Sequence, residues 1–159
     1  MKIQTETDIS LLDEIRAIAQ QHWAELAEDR DLYELDVDED LYRGAHARGI
    51  LQATTVRDDN GVLIAYHVIG VRRHPHRKTL MSSDFVSFVR PNLPNRVWIL
   101  LAMYRHSRDS LIAQGVKYLC FRVKLKRDFG PMLRRLGFEP LEMAYALTVR
   151  DADVQKSHP

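Results

Sequence analysis

From Ile9 onward, apolar residues recur every three to four positions: Ile9, Leu12, Ile15, Ala19, Trp23 and Leu26. That spacing predicts an amphipathic helix. A short strand over Lys2–Thr5 precedes it, and Asp36 or Asp38 can cap a second short helix running through Tyr42 and Ala45 to Gly49. The β-branched run Ile50–Arg57, the turn Asp58-Asp59-Asn60-Gly61 and the run Val62–Val71 then read as a hairpin. Leu80–Val89 reads as a central strand stopped by Arg90-Pro91. Beyond Pro94 a long helix places Val97, Leu100, Leu101, Tyr104 and Leu111 on one face, with Gly115 as its C-terminal cap. Val116–Val123 is an apolar strand, and Asp128 and Pro131 open a further helix that ends at Gly137. Pro140–Val149 supplies a last strand, and the polar tail from Arg150 is expected to be disordered. The predicted order is β, α, α, β, β, β, α, β, α, β. It implies one α/β (α+β) domain over residues 1–149, with a mixed, mostly antiparallel sheet and helices on both faces.

A chain of 159 residues with 45% hydrophobic and 28% charged residues suits a single globular domain. The net charge of +1 hides a split: residues 1–70 carry 6 Lys/Arg against 15 Asp/Glu, and residues 71–159 carry 17 against 7. A basic half suits an anionic ligand, although the two halves can equally neutralise each other by packing together. Neither a signal-peptide core nor an apolar run of 18 residues is present, and Cys120 is the one cysteine. These features point to the cytoplasm and away from a membrane.

Three groups carry candidate chemistry. Asp84, in the central strand, is a general base if burial raises its pKa, or a structural partner of Arg72 or Lys78. His74 and His76 have the pKa of a base, but no cysteine or acidic residue lies near them in sequence to complete a metal site. The basic residues Arg122, Lys124, Lys126, Arg127, Arg134 and Arg135 suit phosphate or form a solvated face. Cys120, in an apolar strand, reads as an inert thiol, and there is no Gly-x-Ser-x-Gly elbow. Nucleic-acid binding ranks last, because the aromatics of the basic half do not alternate with its cations.

The order of elements, together with Gln21-His22-Trp23, Gly61–Val71, His74-Pro75-His76, Ser83-Asp84-Phe85, Val89-Arg90-Pro91, Gln114-Gly115-Val116 and Leu136-Gly137-Phe138, resembles the GNAT superfamily of acyl-CoA-dependent N-acyltransferases. The resemblance is closest to the GNAT-like group often encoded by bacteriophages. It covers roughly residues 8–149. It implies acetyl-CoA in the cleft between Val86–Val89 and Tyr118–Val123, with Val86, Phe88 and Val89 against the cofactor. It also implies that Asn95, Arg96, Val97, Trp98 and Ile99 offer backbone N–H groups and charge to the pyrophosphate. This stretch contains no glycine, and the position that matches the family's thiolate-protonating tyrosine is Leu133. Tyr145 is a substitute acid, and Asp84 or His76 the base. Two functions follow from the resemblance. One is acetyl transfer from acetyl-CoA to an amine of a protein or small molecule, by direct attack. The other is a catalytically degenerate phage protein that binds a host protein in the host cytoplasm. A homodimer is compatible with either.

Overall fold

The turn at Asn60-Gly61 forms as its chemistry predicts. Gly61 adopts φ +81°, a conformation costly for any residue with a Cβ, and the Asp58 carboxylate accepts hydrogen bonds from the Asn60 and Val62 amides at 2.9 Å each. In the computed structural model, which describes residues 1–27 and 33–147, this turn joins strands β2 (Leu51–Arg57) and β3 (Leu63–Arg73). β1 (Lys2–Glu6) pairs antiparallel with β2, and β4 (Leu80–Val89) antiparallel with β3. β5 (Val116–Cys120) runs parallel to β4, so the sheet order follows the sequence. A parallel neighbour requires a crossover, and helix α3 (Arg96–Ala113) provides it.

Strand alternation divides the core between two layers. Tyr66, Val68 and Phe88 face α1 (Leu11–Leu26), whose Leu11 and Ile18 are buried against them. Val56, Ala65 and Val89 face Met103 and Tyr104 of α3, together with Met132 and Leu133 of α4 (Gly130–Arg135). A short helix, α2 (Glu39–Ala47), lies near β2, and the Asp38 carboxylate caps it by accepting from the Leu41 amide at 2.9 Å. α3 also contacts the sheet through a buried polar chain. His67 Nδ1 lies 3.0 Å from Ser107 Oγ, which donates to Thr54 Oγ1 at 2.8 Å.

Four expectations are corrected. The buried stripe of α3 is Ile99, Met103, Tyr104, Ser107 and Leu111, and Val97 points outward. β5 ends at Cys120, and residues 121–124 leave the sheet. Asp128 accepts from the Gly130 amide at 2.7 Å, but Phe129 occupies the N-cap position of α4. Residues 140–147 form no strand: their alternating Leu141, Met143, Tyr145 and Leu147 are 63–89% exposed, because an amphipathic pattern supplies a face and not a partner. Residues 148–149 of that predicted strand, and the tail 150–159, lie outside the described residues. Among the described residues no helix is long and apolar enough to cross a membrane.

Candidate active site

The site begins where two parallel strands part. Pairing of β4 with β5 runs from Leu80↔Val116 to Ser83↔Cys120 and stops there. β4 continues from Asp84 to Val89, hydrogen-bonded to β3 on one side and, among the described residues, with no strand on the other. A bulge lies at the fork: Val68 pairs with Val86 and Ile69 with Asp84, leaving Phe85 as the extra residue. The Phe85 ring lies over Gly70, where a Cβ would come within 2.5 Å of it, so only glycine allows this approach.

A cleft of about 1130 Å³ opens from the fork. Asp84 stands at its base, 6% exposed, its Oδ1 accepting from the Arg122 amide at 3.1 Å and from Arg122 Nε at 3.3 Å. Arg122 also donates to the Asp84 carbonyl, so this pair bridges the parting strands. The partner of Asp84 is therefore Arg122, and neither Arg72 nor Lys78. Burial pushes the Asp84 carboxyl upward, opposed by the hydrogen bonds and charge of Arg122.

Across the cleft, α1 presents His22. Its Nδ1 lies 2.5 Å from the Tyr66 hydroxyl, and its ring stacks on Phe88 at 4.9 Å. Burial, helped by the charge of Lys124, lowers the His22 pKa to about 4, so the ring is neutral at pH 7. The sequence reading did not single out His22, although a signal was present: it falls seven residues after Ile15 and three after Ala19, inside an apolar helical stripe.

The remaining predicted residues scatter. Val86 lines the cleft, but Phe88 and Val89 are 2% and 3% exposed, and their side chains belong to the two cores. Asn95 takes φ +60° ahead of α3 and makes no side-chain cap. Val97 and Trp98 are 69% and 65% exposed, whereas Ile99 is buried. The two bulky residues of the glycine-free loop thus neither fill the cleft nor line it. Arg96 Nη2 donates to the Val89 carbonyl at 2.8 Å and to Glu25 Oε1 at 2.5 Å, and Arg127 donates to the same carboxylate oxygen. Tyr145 is 89% exposed, outside the cleft lining. His76 is exposed on the loop between β3 and β4, at the end of β4 opposite the fork, and its ring lies 5.9 Å from that of His74. Leu133 lines the cleft from α4. Arg122, Lys124, Arg127 and Arg134 line it as well, which places four cations of the basic half around one opening. Half-buried Cys120 stands at the fork, its thiol pushed up chiefly by burial.

No family model matches this chain, and no curated protein does. Solved structures match over most of its length. A ribosomal-protein-alanine N-acetyltransferase from Brucella melitensis superposes with a TM-score of 0.66 at 11% identity, over 94% of this chain and 100% of that one. An aminoglycoside acetyltransferase from an uncultured soil metagenomic sample, solved with sisomicin, gives 0.69 at 10% identity, over 94% and 96%. A tetramutant of the BH1408 protein from Bacillus halodurans gives 0.68 at 15% identity, over 94% and 100%. The chain has the GNAT acetyltransferase fold, a mixed five-stranded sheet with helices on both faces.

Proposed function

We propose that this protein is an acyl-CoA-dependent N-acyltransferase, using acetyl-CoA and an amine acceptor. The observation that carries the reading is the edge of β4 beyond Ser83, which β5 does not pair and whose residues Asp84 to Ser87 line a cleft rimmed by Arg122, Lys124, Arg127 and Arg134. An unpaired strand edge binds an extended, amide-bearing chain by adding it as a strand. The pantetheine arm of coenzyme A is such a chain, and its phosphates suit the cations at the rim.

In this reading the amine nitrogen forms a bond to the thioester carbonyl carbon and the carbon–sulfur bond breaks, with the electron pair leaving on sulfur. The amine proton passes to a neighbouring acceptor. His22, neutral and in the cleft, and Asp84, with its raised pKa, are the two groups placed to take it. Leu133 donates no proton, so the thiolate takes its proton from solvent. Two of the neighbours named above are acetyltransferases, which favours this chemistry over the host-protein reading.

Calorimetric titration with acetyl-CoA and with CoA tests the proposal. Micromolar binding that weakens at least tenfold in Arg134→Glu supports it, since Arg134 is exposed on the cleft wall and dispensable for the core. Absence of heat at several temperatures, with no thermal stabilisation by millimolar ligand, would overturn it.

A further inference from the structure

The loop between β3 and β4 stands at the end of the sheet opposite the fork, and its charge is all of one sign. No Asp or Glu occurs between Asp59 and Asp84, while Arg72, Arg73, Arg77 and Lys78 follow one another closely. All four are exposed. Seven other arginines pair with a carboxylate, but these four cations have no ion-pair partner among the described residues. Desolvation lowers the His74 pKa, and the charges of Arg77, His76 and Arg72 lower it further, with no carboxylate opposing them. The cations stand on a two-stranded ribbon. β2 starts at Leu51, opposite Gly70, so β3 runs past it to Arg73, and the last pairs are Arg72↔Met81 and Arg73↔Leu80. On the other edge, β5 reaches no further than Leu80. The His74 amide closes the loop by donating to the Thr79 carbonyl at 2.9 Å. Neighbouring residues of a strand point to opposite faces, so Arg72 and Arg73 place one cation on each side of the ribbon. Arg77 and Lys78 add two more at its tip.

We infer that this ribbon binds the phosphate backbone of duplex DNA by entering the major groove. A groove carries phosphates on both walls, and cations on both faces and at the tip match that arrangement. The flat acidic face of a protein would engage one side of the ribbon and leave the other in solvent. A B-form major groove is about 12 Å wide and admits a two-stranded ribbon. Arginine suits phosphate because its planar fork donates two hydrogen bonds at once. Two other polyanions fit less well. The hairpin from Val71 to Leu80 has no Phe, Tyr or Trp on which the bases of a single strand could stack. That absence is immaterial to a duplex held by its backbone, and such contacts read no base sequence. Nor is any large apolar side chain exposed between Val62 and Phe85 among the described residues, as an arm anchored in a lipid surface requires. This site is independent of the proposed acyl transfer.

Fluorescence anisotropy of a short labelled DNA duplex of arbitrary sequence tests the inference. Saturable binding is expected at low salt. Each neutralised phosphate contributes about 0.9 to the slope of log affinity against log salt, so four give about 3.6, roughly a hundredfold loss between about 50 and 200 mM. Arg72→Glu with Arg73→Glu, and separately Arg77→Glu with Lys78→Glu, should each weaken binding at least tenfold and cut the slope by about 1.8. Circular dichroism reports whether each double variant is folded. Arg134→Glu, on the cleft wall, should bind the duplex as wild type does, which separates the ribbon from the cations of the cleft. The single strand of the same length and polyglutamate should both bind at least tenfold more weakly than the duplex. Absence of binding at low salt, unaltered binding in both folded double variants, or loss of binding in Arg134→Glu overturns the inference. So does a single strand or a polyglutamate that binds as tightly as the duplex.

Discussion

Glu25 offers a test in which stability and affinity move in opposite directions. Its carboxylate is 13% exposed and holds both Arg96, at the first turn of α3, and Arg127, at the cleft wall. Its other oxygen, Oε2, is buried with no hydrogen-bond partner among the described residues. On the proposed function, this carboxylate competes with a phosphate for the two arginines. In Glu25→Gln the amide oxygen still accepts a hydrogen bond, but the charge is gone. The arginine side chains are 37% and 48% exposed, so solvent screening limits each pair to about 0.5–1 kcal/mol, and the expected loss of stability is about 1–2 kcal/mol. The freed cations should strengthen CoA binding by ~1 kcal/mol, about fivefold in Kd. Urea denaturation measures the first quantity and calorimetric titration at low and high salt the second. The gain should shrink as salt rises. A folded Glu25→Gln protein that binds CoA no better than wild type would refute the idea that Glu25 competes with phosphate.

Acid should unfold the protein through its histidines. Burial lowers the His22 pKa to about 4 and the His67 pKa to about 3, against 6.5 for the unfolded chain, so from pH 6.5 down to about 4 the unfolded state binds more protons. Stability should fall as pH drops through that window, by about 1.4 kcal/mol per pH unit for each histidine. His22→Gln should flatten the slope by about half, as read from urea midpoints between pH 7 and 5. Asp84, with its raised pKa, acts in the opposite sense, adding stability at low pH that is lost as pH rises through its folded value. Ser107→Ala removes the donor to the Thr54 hydroxyl and the partner of His67 Nδ1, and His67 Nε2 already has no partner among the described residues. The expected cost is about 1–3 kcal/mol by chemical denaturation, and a cost near zero would mean that the polar chain contributes nothing net.

Local chemistry made much of the fold legible. The Asn60-Gly61 hairpin, the Asp38 cap of α2 and the break after Val89 each depend on a few adjacent residues, and each stands as read. The α1 stripe was also legible, but its meaning was not. Leu12, Ile15, Ala19 and Trp23 form a helical face as predicted, yet that face lines the cleft, while Leu11 and Ile18 beside it enter the core. In α3 the first turns are apolar on every side, so spacing could not choose a buried face. The sheet chose Ile99 and Met103 and left Val97 and Trp98 in solvent.

What the sequence by itself determined is therefore what short-range interactions decide: the succession of strands and helices as far as α4, most of their turns and caps, and a basic second half. The tertiary structure alone decided the rest, because it depends on partners distant in sequence. Asp84 meets Arg122 only because β5 is laid parallel to β4 and then diverges from it. His22 meets Tyr66 across 44 residues, and Glu25 meets Arg127 across 102. The alternation at Leu141, Met143, Tyr145 and Leu147 is as regular as any strand in the chain, but these residues lie outside the sheet. A strand is completed by hydrogen bonds from a neighbour, and no pattern along one segment can provide them.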